Sequence, residues 1–365
     1  MSGTGTTRLL AAYFEEAVAP GFLSTHFQTP PRNIHATEKV EIDIMRDDED
    51  VAVVVTDLSV GGRQNEATLY TSKAFTPPIY MEEAAISSHK LINRMAGQNP
   101  FDDPDFDANA TEQAFVVWRR LERKIRRAIE LMASQVFQGA TLSLIDKSGN
   151  VLYTLNFQGK AEHFATVSTA WAADGSTGTP LVDIENHART IRRNGKKVPN
   201  KLVFGKTAWQ RFMINTTVRN ELDNRRIMRG MIDPGSEPQA TEEGGASYMG
   251  KFMIGEYPFE LWLYDAYYRP AGGQGFTSYV NEEKIIFMSK GARLDLSYGR
   301  IPLFPTPNAP LPFLPNRVES ADLGLAMTTN AWVTPDGRSL KLFAGTRPLT
   351  IPTAIDTFGT LDVVL

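Results

Sequence analysis

The hydrophobic period of the chain changes several times along its length. Leu9, Leu10, Tyr13, Phe14 and Ala17 recur at helical spacing, which predicts a short amphipathic helix over 6–18, capped by Thr6 or Thr7 and stopped by Pro20-Gly21. Such a helix docks either on its own domain or, as an arm, on a neighbour. From 38 to 80 the period drops to two. Val40, Ile42 and Ile44 alternate with Glu41 and Asp43, Asp47-Asp48-Glu49-Asp50 interrupt, and Val51 to Val55 resume. Gly61-Gly62 marks a turn, residues 63–75 carry few large apolar groups, and Pro77-Pro78 closes the segment. An extended ribbon with so little core of its own leaves strand edges open to partners.

The strongest helical pattern covers about 111–138. Trp118, Leu121, Ile125, Ile129, Met132 and Val136 form one apolar stripe, and no Gly or Pro intervenes before Gly139. At 1.5 Å per residue this helix spans about 42 Å, against a mean helix length of roughly 11–12 residues. Its middle carries Arg119, Arg120, Arg123, Lys124, Arg126 and Arg127, with Glu122 and Glu130 as the nearby acids. A basic face of this kind is solvated, paired with acids elsewhere, or turned towards phosphate. Strands at 141–146 and 150–157 follow, then a Gly/Ser/Thr-rich boundary at 172–180. A mixed region comes next: a helix over 183–193, a strand at 201–204, a helix over 207–229, and strands at 250–255, 259–265 and 284–288. Pro302, Pro305, Pro307, Pro310, Pro312 and Pro315 fix φ repeatedly and predict a stiff, extended connector. Short strands return around Leu340-Lys341-Leu342 and Leu361 to Leu365.

Composition narrows the function. A chain of 365 residues predicts two or three packed units, and 42% hydrophobic with 22% charged residues excludes wholesale disorder. The 38 Lys plus Arg against 42 Asp plus Glu give a net charge of −4, too near neutral for a nucleic-acid coat. The absence of cysteine excludes disulfides, thiolate metal sites and Cys nucleophiles, and suits a reducing cytosol or a particle assembled in one. No secretory signal and no apolar run near the roughly 20 residues of a membrane span are visible, so the expectation is a soluble protein, cytosolic at synthesis and without a membrane anchor.

The chemistry-bearing motifs are weak. Gly205-Lys206-Thr207 lies between an apolar strand and a helix, like the end of a phosphate-binding loop, and a nucleotide-binding enzyme using it is the alternative reading. The loop pattern needs Gly at position 200, which is Asn200, and an ordinary strand-to-helix turn accounts for the rest. Asp103, Asp105, Asp107 and Asn109 mimic the start of a calcium loop, but Ala108 and Ala114 stand where Gly and Glu are required. The acids instead suit a helix N-terminus. His26, His35, His89, His163 and His187 form no metal-binding pair, no nucleophile elbow is present, and Gly272-Gly273-Gln274-Gly275 reads as a loop. No catalytic, cofactor-binding or metal-binding residue is therefore expected.

The order of elements carries a resemblance: arm, ribbon, one very long helix, strands, an α/β insertion and returning strands. Its most specific stretch is Lys201-Leu202-Val203-Phe204 with Trp209 and Leu222-Asp223-Asn224-Arg225-Arg226. Thr6 to Ala12, Thr37-Glu38-Lys39-Val40, Phe75-Thr76-Pro77, Asp183-Ile184-Glu185, Tyr248-Met249-Gly250 and Leu340 to Leu365 add to it in collinear order. The chain resembles the major capsid proteins of tailed bacteriophages, of lambda type, with the α+β Hong Kong 97 phage capsid fold. The Pro-rich 301–315 segment departs from the lambda pattern and receives no role. The resemblance implies an N-terminal arm at 1–34 and an extended loop at 35–95. It implies a peripheral domain at 96–180 built on a spine helix at 111–138, an axial domain at 181–335, and a return to the peripheral domain at 336–365. It also implies a non-enzymatic subunit that self-assembles in the host cytoplasm as pentamers and hexamers into the icosahedral shell of the virion. Scaffold, portal and decoration proteins are the implied partners, and the packaged double-stranded DNA is held without sequence-specific contact. The resemblance lays the extended loop of one subunit over the spine of the next. The expected intersubunit contact therefore joins Asp47, Asp48, Glu49 and Asp50 to Arg119, Arg120, Arg123, Lys124, Arg126 and Arg127. A DNA-facing basic face is the alternative.

Overall fold

The computed structural model describes residues 21–30, 33, 35, 40–44, 71–75, 77–88, 106–145, 150–223, 245–270, 275–301 and 327–364. The expected arm helix over 6–18, the acids at 47–50, the apolar run at 51–55 and the prolines from 302 to 315 lie outside these residues. In chain order the elements begin with strands β1 (Val40–Ile44), β2 (Thr71–Phe75) and β3 (Tyr80–Ser87), then helix α1 (Phe106–Gly139). Strands β4 (Thr141–Ile145), β5 (Val151–Asn156) and β6 (Phe164–Thr166) precede helix α2 (Pro180–Gly195) and strand β7 (Pro199–Phe204). Helices α3 (Lys206–Ile214) and α4 (Thr216–Asp223) lead to β8 (Ala246–Ile254), β9 (Tyr257–Tyr264), β10 (Tyr267–Tyr268) and β11 (Thr277–Ser278). The chain then forms β12 (Lys284–Ser289), β13 (Asp295–Tyr298), β14 (Thr328–Val333), β15 (Ser339–Thr346), β16 (Pro348–Ile351) and β17 (Phe358–Asp362).

A mixed six-stranded sheet in the order β6-β17-β12-β7-β9-β8 organises the molecule. Its central strands feed two cores. Val203 and Ile286 join the cluster around α1, while their chain neighbours Leu202, Phe204, Ile285 and Phe287 join the cluster around α2 and α3. Successive strand residues point to opposite faces, so a sheet covered on both sides reads as a continuous apolar run. That is the pattern of Leu202-Val203-Phe204 and of Ile285-Ile286-Phe287. A second sheet, β14-β15-β3, lies against α1, and β1 pairs antiparallel with β2 from Val40↔Phe75 to Ile44↔Thr71. β13 pairs with β16, so the chain on either side of residues 302–326 is drawn together.

α1 has 34 residues, about 51 Å of helix. It starts at Phe106, five residues before the expected 111. Leu121, Ile125, Ile129, Met132 and Val136 are all buried, as the stripe requires.

One expectation needs correction, and some strands were not expected. The β1–β2 ribbon ends at Phe75, ahead of Pro77-Pro78, but a further strand, β3, begins at Tyr80 in another sheet and pairs with β15 along its whole length. Its inward positions include Glu82 and Ala84, too weakly apolar to signal a strand. The helix expected over 207–229 is two helices broken at Asn215. The Asn215 backbone is extended (ψ 132°), and its side-chain oxygen accepts from the Thr217 N–H at 3.0 Å. Its amide also donates to the Gly178 carbonyl at 3.3 Å. An Asn side chain that caps the next turn competes with helix continuation. β13 and β16 were not expected: every residue of both is buried, so no alternation announces them.

Candidate assembly surface along the long helix

α1 brings the six expected cations onto one helix, and the fold decides which meet partners within the subunit. Lys124 Nζ donates to Glu82 Oε2 at 2.8 Å, an ion pair between α1 and β3. Arg126 donates through Nε (3.0 Å) and Nη2 (2.8 Å) to Glu122 one turn earlier. The Arg119 guanidinium lies 4.4 Å from the centre of the Phe115 ring. Arg120 and Arg127 are exposed and Arg123 is half-buried. The face is thus partly neutralised in cis, and each exposed pair is worth about 0–1 kcal/mol. The charge of Arg127 also acts on Tyr279, whose phenol burial pushes up and Arg127 pulls back. Asp47, Asp48, Glu49 and Asp50 lie outside the described residues.

Glu130 does not belong to that face. It is buried at 0% exposure on the core side of α1. Oε1 accepts from the Leu23 N–H and from the Tyr264 hydroxyl, each at 2.7 Å, and Oε2 accepts from the Ser24 N–H at 2.8 Å. A buried carboxylate is tolerable when hydrogen bonds replace its lost water. Burial, then the Glu130 charge, push the Tyr264 phenol far above its ordinary range, so Tyr264 remains a donor. Sequence reasoning grouped Glu130 with the cations. The available signal was its place three and four residues before Ala133 and Ser134, on the face that the fold buries.

Gly205-Lys206-Thr207 is the turn from β7 into α3. A Cβ on Gly205 would collide with the backbone carbonyls of Asn281 and Glu282, so glycine is required by a close backbone approach rather than by a phosphate. Lys206 pairs with Asp265 at 3.3 Å. Lys206→Ala is expected to leave assembly intact, with no ATPase activity in either protein; nucleotide turnover abolished by the substitution would contradict this. Among the described residues no cluster of three or more His, Asp or Glu could hold a metal, and no helix is long and apolar enough to cross a membrane.

His163 and His187 lie where α2 meets β17. His163 Nδ1 donates to the Phe358 carbonyl at 3.0 Å, which leaves Nε2 to accept from the Asn194 amide at 3.0 Å. His187 is 5% exposed, lies edge-on to Phe287, and among the described residues finds no hydrogen-bond partner for Nε2. Burial, with a smaller contribution from His163, lowers its pKa to about 4.

This arrangement has solved counterparts. A protein of an Escherichia coli CFT073 prophage, described as a capsid protein, superposes with a TM-score of 0.62 at 17% identity, covering 100% of both chains. A phage-related protein of Bordetella bronchiseptica RB50 gives 0.50 at 11% identity, covering 98% of this chain and 96% of that one. The fold is the α+β phage capsid fold of Hong Kong 97 type. No curated protein matches the chain. The pattern of the phage major capsid protein E family matches residues 5–363, and the chain belongs to that family. It is a structural, non-enzymatic protein of the virion capsid, and its copies assemble into a homo-oligomeric shell.

Proposed function

We propose that copies of this chain form the pentamers and hexamers of a closed icosahedral shell around double-stranded DNA. Assembly takes place in the host cytoplasm, with scaffold, portal and decoration proteins as partners and no sequence-specific contact to the DNA. The family match along residues 5–363 is the observation that carries this reading. Residues 1–34 serve as the arm, 35–95 as the extended loop, 96–180 and 336–365 as the peripheral domain, and 181–335 as the axial domain. The sheet in which β17 lies beside β12 supports a firm attachment between the last two parts.

The contact between neighbours joins acids of Asp47, Asp48, Glu49 and Asp50 to the basic face of α1 from Arg119 to Arg127. The Lys124–Glu82 pair supports this, because it is already an acid from the 35–95 segment meeting that face. Single exposed pairs contribute little, but a network repeated at every interface biases assembly. Reversing Arg123, Lys124 and Arg127 to Glu is expected to abolish most empty-shell formation, scored by electron microscopy and sedimentation. Reversing Asp47 to Asp50 to Lys in the same chain should restore part of it. Normal empty shells from the triple variant, with a defect only in DNA content, would move the basic face to the DNA side.

A further inference from the structure

The segment Gly21 to Gln28 is tied down at both ends. At its far end Gln28 N donates to the Leu294 carbonyl at 2.9 Å, and Leu296 N donates back to the Gln28 carbonyl at 2.8 Å. At its near end a single 3₁₀ turn, Ser24–His26, begins with free backbone donors, as every helical turn does. Those donors are the N–H groups of Leu23 and Ser24, and the cap that receives them is Glu130, 107 residues away in sequence from Leu23. Gly21 is held in turn, its carbonyl accepting from Thr25 N and Ser24 Oγ, each at 3.2 Å. Phe22 lies 5.0 Å from the Trp262 ring and 5.6 Å from the Tyr264 ring, so the segment bridges α1 and β9.

An apolar side chain at 130 would fill the same space but leave the buried Leu23 N–H and the part-buried Ser24 N–H without their acceptor. It would also fix no register, because apolar contacts carry no direction. A carboxylate with both oxygens engaged does fix one, through charge-assisted bonds that are stronger than neutral ones. We infer that Glu130 is the positioning residue that sets where residues 1–20 leave the subunit, and that shell assembly depends on this fixed exit. The inference rests on the proposed role of residues 1–20 as an arm that joins subunits. Freeing residues 21–27, up to the Gln28 anchor, would lengthen the tether by up to about 25 Å, and a longer tether lowers the effective concentration of the arm at its target.

The test uses the full chain carrying Glu130→Gln. One amide oxygen replaces one carboxylate oxygen, while the NH₂ group faces a backbone donor and cannot accept from it. The expected result is a folded subunit in which hydrogen exchange at Leu23 and Ser24 rises at least tenfold and shell yield falls at least fivefold. Ile129→Val, in the same helix and buried, is the comparison for an ordinary loss of stability and should assemble normally. Normal shells from Glu130→Gln with a released segment, or a segment that stays protected in that variant, would overturn the inference. Wild-type subunits provide a check that needs no variant: before assembly, the Leu23 and Ser24 amides should exchange as slowly as those of residues 125–132. Free exchange there would show that the exit is not preset. Deleting residues 1–20 separates the two readings. Normal shells from that chain would remove the role of the arm, whereas defective shells there with normal shells from a released Glu130→Gln would remove the role of Glu130 alone.

Discussion

Ile125→Asp is expected to yield insoluble protein. Ile125 is 1% exposed in the middle of α1, within the cluster that holds Leu121, Ile129 and Met132. The substitution removes an apolar side chain whose burial contributes about 1.5–3 kcal/mol, and it places a carboxylate within an apolar cluster, at a further cost of several kcal/mol. The sum is comparable to the whole stability of a typical domain, about 5–15 kcal/mol. Glu130, five residues further along the same helix, shows what a buried acid requires there: three hydrogen bonds delivered by distant segments. Ile125 lies instead among the buried apolar side chains of the cluster around α1. The fraction of expressed protein in the soluble lysate measures the effect. Ile125→Val, expected to cost about 0.5–1.5 kcal/mol, should remain soluble. Soluble Ile125→Asp that forms shells would mean α1 is not the backbone of the subunit.

Acid is expected to weaken the subunit through its buried histidines. His187 has a folded pKa of about 4 against an ordinary 6.5, with burial as the main cause. Between these values the unfolded chain binds a proton that the folded chain refuses, so stability is complete above about pH 6.5 and falls as pH drops towards 4. For one group with this shift the loss reaches about 2 kcal/mol by pH 5. His163, lowered in the same direction by burial, adds to it, and so does His26, lowered to about 4 by burial and then by Lys201. Urea midpoints of unassembled subunits at pH 7.5 and pH 5 give the measurement. The drop should shrink by roughly a third to a half in His187→Leu, which has nothing to protonate at that position, while His26 and His163 keep the remainder. An identical drop in His187→Leu would assign the acid response elsewhere.

The periodic elements were legible because their signals are local. The stripe of α1, the run Leu202-Val203-Phe204 and the run Ile285-Ile286-Phe287 each record their surroundings within one short stretch. Gly205 was legible as a turn, though its reason, the carbonyls of Asn281 and Glu282 against its Cα, was not. Asn215 misled because a good helical pattern on both sides outweighs one capping side chain until its partner, the Gly178 carbonyl, is in place. β3 was missed since Tyr80, Glu82 and Ala84 become an inward face only when α1 and β15 supply the other side.

The sequence by itself determined the long amphipathic helix, its basic middle, the extended stretches before it and the lack of cysteine chemistry, for these depend on residue type and spacing alone. The tertiary structure decided the rest. It set β17 between β6 and β12, paired Lys124 with Glu82 and Arg126 with Glu122 on the basic face, and turned Glu130 from one more helical charge into a buried anchor. The physical reason is distance along the chain. The partners of Glu130 lie 107 and 134 residues away, and no period within a window of one or two dozen residues can register a donor that only folding brings within 3 Å.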